Sequence, residues 1–317
     1  THRVRKVKKK RGARLGIIAR PRGRRKYVLD FRCRRSFLKR KGASDRKMKV
    51  TTAMRECLRK VFITMPVRLI DGRYLHLIES YRINCEIVLD FRALDSFPRS
   101  HLRGLAKKLS ALGIRMTVHA PFHEIFLGAP DRLVREAAVE RMEKAFAAAA
   151  LFRPESIVVH FNYEERRFGF IYEEWLANIV PSIRLFARKA GEMGAILALE
   201  NVYEENPRAM KEVLEMMKGL PVHQCLDTGH VNAFSRTGLR AWLRQMGPFI
   251  RQLHLHDNDG SGDEHLPIGV GNVDFGLVAG FIARAKVKPL VTLEPHSEGD
   301  IWKTLHGFHE KGLDRAL

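Results

Sequence analysis

Cysteine is scarce in this 317-residue chain: Cys33, Cys57, Cys85 and Cys225 stand far apart and form no C-x-x-C pair. That excludes a disulfide framework and a cysteine zinc knuckle, and it points to a reduced, cytoplasmic setting. No apolar run reaches the roughly 18 residues that a membrane-spanning helix needs. No serine stands on a strand-to-helix elbow where an acyl-transfer nucleophile would sit. Gly269-Val270-Gly271 is no dinucleotide loop, because Asp274 stands where the third glycine of G-x-G-x-x-G belongs. Acidic residues are nearly missing from positions 1–60, where 25 Lys and Arg meet three carboxylates. That stretch alone carries the formal charge of +22, and residues 61–317 are neutral with 32 groups of each sign.

The sequence divides at this change in composition, into a basic extension over 1–58 and a body over 59–317. Lys8-Lys9-Lys10-Arg11, Arg22-Gly23-Arg24-Arg25-Lys26 and Lys39-Arg40-Lys41 are interleaved with Tyr27, Phe31 and Phe37. Such a segment neutralises phosphates, so any contact with nucleic acid is expected only through residues 1–58. A transit peptide fits less well, since the stretch is rich in lysine, poor in serine and lacks an amphipathic period. A disordered leader, with Met48 or Met54 as an internal start, is the expectation.

The body shows six short apolar runs that each end in a histidine or carboxylate. They finish at His119, His160, Glu200, Asp227, His254 and Glu294, with steps of 41, 40, 27, 27 and 40 residues. Short runs rich in Val, Ile and Leu, spaced by helical stretches, read as strands of a parallel sheet. Eight strand-plus-helix units fit in 59–317, and the fold class expected is α/β, a (β/α)8 TIM barrel. Strands are predicted at Val61–Met65, Cys85–Leu89, Arg115–His119, Ser156–His160, Ala195–Glu200, His223–Asp227, Ile250–His254 and Pro289–Glu294. Gly113 is predicted to stop the helix after the second strand, and Asn206-Pro207 to start the one after the fifth.

Polar groups gathered at strand ends are where a TIM barrel keeps its chemistry. Asp227-Thr228-Gly229-His230 adds a second imidazole, and Asp263-Glu264-His265 adds two more donors from the long loop 258–272. Five histidines and four carboxylates exceed what one catalytic zinc needs. His256 and His296 stand near enough in sequence to contact substrate or support a ligand, and Phe122 is placed to line the pocket.

These residues resemble the xylose isomerase-like TIM barrel superfamily, which includes sugar phosphate isomerases and epimerases and the endonuclease IV type of AP endonuclease family 2. The likeness runs from His119 to Glu294. Its most specific part is Asp263-Glu264-His265-Leu266-Pro267-Ile268-Gly269-Val270-Gly271-Asn272, similar to the endonuclease IV loop with its Asp-x-His pair ahead of Gly-x-Gly-Asn. The resemblance implies up to three divalent ions, Zn²⁺ first, with Mn²⁺ or Fe²⁺ as alternatives. His119, His160 and Glu200 would hold one. Glu200, Asp227, His254 and Glu294 would hold a second, with Glu200 bridging, and His230, Asp263 and His265 a third.

Two activities follow from the resemblance. Three ions outweigh four carboxylates and attract a phosphate, which implies a metal-dependent phosphodiesterase with Glu200 and Glu294 as its central carboxylates. A single-ion isomerase or epimerase needs only Glu200, Asp227, His254 and Glu294, with the two glutamates shuttling a proton across an enediolate. The arginine that such epimerases carry after the seventh strand is missing from His256 to Glu264. Duplex DNA is disfavoured as well. The first strand, Phe62-Ile63-Thr64-Met65-Pro66-Val67, departs from the endonuclease pattern, no arginine loop follows the second, and His160-Phe161-Asn162-Tyr163 replaces a His-Pro-Gly turn. A small phosphorylated or sugar-like substrate is expected, a cobamide nucleotide loop being one example.

Overall fold

The structure, a computed structural model, describes residues 50–317. The basic segment and its aromatics lie outside the described residues.

Eight parallel strands close into a barrel in sequence order: β1 (Phe62–Pro66), β2 (Asn84–Val88), β3 (Met116–His119), β4 (Ser156–His160), β5 (Ile196–Glu200), β6 (Val222–Asp227), β7 (Ile250–Leu255) and β8 (Leu290–Leu293). Each lies within a residue or two of its expected position. Residue alternation sorts every strand into two faces. Ile63, Ile87, Val118, Ile157, Leu199, Leu253 and Val291 point outward and join the core between sheet and helices. The opposite row fills the barrel lumen, partly with the small residues Val158, Ala198 and Cys225, partly with buried polar groups such as Glu86, Thr117, Gln252 and Thr292.

Helices return the chain between strands. Gly113, at φ 67°, ends the helix Arg99–Ala111, as its position in sequence predicts. The start after β5 differs by one residue. Pro207 is the cap of helix Arg208–Met216, and the Asn206 side chain instead accepts from Arg208 N at 3.0 Å. After β1 the chain takes a π-helical turn, Ile70–Tyr74, which sequence periodicity does not reveal.

A helix at Thr52–Lys60, capped by Thr51, buries Met54, Cys57 and Leu58 and packs on the helix Glu298–Glu310. The boundary expected between 58 and 59 therefore falls inside an ordered helix. Basic composition hid it, because its apolar stripe is only three residues wide. Among the described residues no helix is long and apolar enough to cross a membrane.

Candidate metal centre

All six strand-end residues face the lumen at the rim where the strands finish. Glu200 stands at their centre, 1 % exposed. Its Oε2 lies 3.1 Å from His119 Nε2 and 3.3 Å from His160 Nε2, while Oε1 lies 3.3 Å from His254 Nδ1. His254 Nδ1 also comes within 3.1 Å of Glu294 Oε1. The structure thus brings the first two expected groups together around one carboxylate.

The remaining donors form a neighbouring cluster. Asp227 Oδ1 caps the helix Thr228–Phe234 by accepting from His230 N at 2.7 Å, which leaves Oδ2 free and turns the His230 ring toward the mouth. His230 Nε2 and His265 Nε2 each stand 3.3 Å from Asp263 Oδ2. The loop that brings Asp263 and His265 over the rim is organised by Asp257, whose carboxylate accepts from Gly269 N at 2.8 Å and Val273 N at 3.1 Å. A Cβ at Gly271 would lie 2.2 Å from Asn258 O, so the loop cannot close without glycine there. His265 itself sits at φ 49°, a left-handed conformation that costs energy in a non-glycine residue and concentrates at functional sites.

The histidines are oriented from behind. His119 Nδ1 bonds Ala120 O at 2.8 Å, His230 Nδ1 bonds Asn201 O at 2.9 Å and His265 Nδ1 bonds Glu294 O at 3.2 Å. Each backbone carbonyl takes a ring N–H and turns the other nitrogen toward the cluster, where a cation can replace its proton. Metal sites fix imidazoles in this way. His254 is held in the opposite sense, with Nε2 3.2 Å from Glu86 and Nδ1 toward the mouth.

Whether these donors suit a divalent ion can be tested on what they leave unsatisfied. Asp227 Oδ2, His254 Nδ1 and both ring nitrogens of His256 are buried without a hydrogen-bond partner. Each such group costs about 1–3 kcal/mol when left unpaired, and a cation among them removes that cost. Nitrogen and carboxylate oxygen donors fit Zn²⁺, Mn²⁺ or Fe²⁺.

Charge distribution agrees. Burial would raise the Glu200 carboxyl, but His254, His160 and His119 outweigh it and hold it well below the usual range. Burial pulls His230 down, yet Asp227, Asp263 and Glu200 push it well above its ordinary value. His265 is likewise lowered by burial but driven up to about 9 by Asp263 and Glu294. His160, where burial wins, is lowered.

Residues 85–312 match the xylose isomerase-like TIM barrel family. The chain belongs to this family. An uncharacterized protein of Methanocaldococcus jannaschii is 29 % identical over 169 residues, 51 % of this chain and 58 % of its own length. The Aquifex aeolicus protein named "Probable endonuclease 4" is 25 % identical over 53 % of this chain and 65 % of its own. The chain thus spans less than two thirds of the length of either relative. Among solved structures, the TTHB071 protein from Thermus thermophilus, soaked with ZnCl₂, superposes with a TM-score of 0.68 at 26 % identity, covering 80 % of this chain and 98 % of that one. A D-tagatose 3-epimerase-like protein gives the same TM-score at 20 % identity over 79 % and 97 %, which shows a shared fold.

In this member of the family the rim opens into a cavity of about 430 Å³. Phe122 and His296 are in its wall, and Phe122 stacks on His160 with centroids 5.0 Å apart. His256 is not. It is 1 % exposed, behind the wall, with Nε2 3.2 Å from Asp227 Oδ1 and 3.4 Å from Asp263 Oδ1. The side-chain alternation of β7 carries it inward beneath the Asp263 loop, where it joins the third donor cluster and not the substrate space.

Sequence reasoning missed three groups. Glu86, fully buried, accepts from Thr117 Oγ1 at 3.0 Å, Thr292 Oγ1 at 3.0 Å and Gln252 Nε2 at 2.8 Å. A lone acid inside the apolar run Cys85-Glu86-Ile87-Val88 was the available signal. Arg73, carried into the cavity wall by the π-helical turn, gave none. Glu204 is buried, accepts from Tyr163 N at 2.9 Å, and is pushed by desolvation up to about 7.

Proposed function

We propose that the chain is a metal-dependent hydrolase of small phosphate esters, with a di- or trinuclear zinc-type centre at the barrel mouth. The third cluster carries this reading. A single-ion isomerase is complete with Glu200, Asp227, His254 and Glu294, and His230, Asp263 and His265 form a further set of donors beyond it. The partial likeness to an endonuclease 4 supports the same reaction class.

In this reading His119, His160 and Glu200 would hold one ion, Glu200, Asp227, His254 and Glu294 a second, and His230, Asp263 and His265 a third. Bound divalent ions supply charge neutralisation at phosphate oxygens and acidify water. The chain's own residues do the rest. Glu200, with Oε2 toward His119 and His160 and Oε1 toward His254, would join the two halves of the donor set. Glu294, at the cavity wall and 3.1 Å from His254, would orient the attacking water and relay its proton to the alkoxide that leaves as the scissile P–O bond breaks. Arg73, the one Arg or Lys in the described wall, meets the phosphoryl group, while Phe122 and His296 contact the organic part of the substrate. A cavity of about 430 Å³ suits a small phosphodiester, a cobamide nucleotide loop for example, better than a duplex.

A sugar or sugar-phosphate epimerase is the second reading, favoured by the complete Glu200, Asp227, His254 and Glu294 set. Glu200 and Glu294 would then pass a proton on either side of an enediolate. Elemental analysis of chelator-free protein, with assays on an aryl phosphodiester and on a ketose, separates the two. Two or three metals per chain at the barrel mouth with hydrolysis support the proposal, and one metal there with epimerisation overturns it. His265→Ala should remove one metal equivalent and abolish diester turnover.

A further inference from the structure

We propose that Cys57, His309 and Asp314 form a second, zinc-type metal site that clips the helix Thr52–Lys60 to the C-terminal turn, at the end of the barrel away from the mouth. Each residue offers a donor atom, and all three atoms lie within 4.8 Å of one another. The topology places them there. The helix Glu298–Glu310 leaves the mouth after β8 and carries His309 in its last turn to the opposite end, where Thr52–Lys60 feeds into β1.

Gly312, at φ 71°, reverses the chain so that Asp314 faces back onto that helix. Asp314 Oδ2 stands 2.7 Å from His309 Nδ1, and Lys60 Nζ donates to Asp314 O at 2.7 Å. An ordinary His–Asp ion pair explains only part of this. It leaves Asp314 Oδ1 buried without a hydrogen-bond partner, with Arg315 Nη1 no closer than 3.8 Å. It also sets a thiol that is 1 % exposed beside a carboxylate. On binding, the S–H bond breaks, a sulfur–metal bond forms and the proton leaves to solvent. Thiolate, imidazole and carboxylate, with water in a fourth position, are a zinc donor set. Features at this end of a TIM barrel serve stability more than chemistry.

The test is Co²⁺ titration of the full chain, because none of the nine donors at the mouth is a cysteine. The wild type should develop a sulfur-to-cobalt charge-transfer band, and zinc should raise its melting temperature. Cys57→Ser should lose the band, one metal equivalent and the zinc-dependent rise, while metals and turnover at the mouth remain. His309→Gln, at a more exposed position, serves if Cys57→Ser does not fold, and should weaken Co²⁺ binding at least about tenfold. No band in the wild type once the mouth is saturated, or a band that survives Cys57→Ser or His309→Gln undiminished, overturns the proposal.

Discussion

Glu86 Oε2 stands 3.2 Å from His254 Nε2, and this contact decides which ring nitrogen His254 turns to the barrel mouth. Thr117, Thr292 and Gln252 fix the carboxylate in turn, so the imidazole is locked from below the rim. Glu86→Gln keeps the shape and removes the charge. Supporting residues of this kind are worth about 10–100-fold in metal affinity or activity. The variant should bind metal more weakly by that factor with an unchanged far-UV spectrum, as competition with a chelator would read out. Wild-type affinity in the variant would mean that Glu86 only fills space.

What the sequence makes legible is what lies on a period. His119, His160, Glu200, Asp227 and His254 each end an apolar run, and strand alternation alone puts them on the same inward row as the structure does. His230 and Asp263 were readable from short motifs. Arg73 was not, since a π-helical turn depends on tertiary packing and leaves no repeat in the sequence. For His256 the sequence leaves substrate contact and support of a ligand both open, and the 258–272 loop that folds over it, invisible in the sequence, decides for support of Asp227 and Asp263. The helix Thr52–Lys60 was masked by charge, as its buried stripe lies among Arg55, Arg59 and Lys60.

Arg73 gives a direct test of substrate charge. A hydrogen bond to a charged group contributes about 1.5–3 kcal/mol, so Arg73→Ala should raise KM for a phosphate ester by roughly 10–100-fold and change kcat little. An uncharged sugar should be turned over equally by both proteins if it is a substrate at all. Steady-state kinetics on the two substrate types would show it, and an unchanged KM for the phosphate ester would place the phosphoryl group elsewhere.

Gly229 is required by the ring packed on it. A Cβ there would lie 2.0 Å from His256 Cε1, closer than any real contact, and His256 is wedged between Asp227 and Asp263. Gly229→Ala should therefore destabilise the chain by about 1–3 kcal/mol, the usual cost of overpacking, and loosen the third donor cluster. Urea unfolding with metal analysis would measure both effects together. Full stability with full metal content would show that the ring can move aside.

Glu204 predicts a stability change with pH whose sign follows from its burial. Desolvation raises its carboxyl from the ordinary 4.5 to about 7, so between these values the folded chain holds a proton that the unfolded chain has released. Its stabilising contribution is present in full below pH 4.5, declines as pH rises and is lost by about pH 7. At roughly 1.4 kcal/mol per pH unit, the total change is about 3 kcal/mol. Glu204→Gln keeps an oxygen acceptor for Tyr163 N or Val202 N and cannot ionise. The difference in unfolding free energy between wild type and variant should accordingly shift against the wild type by that amount across pH 4.5–7 and stay level above it. A difference independent of pH would mean that the carboxylate ionises freely, and that water reaches the loops after β4 and β5.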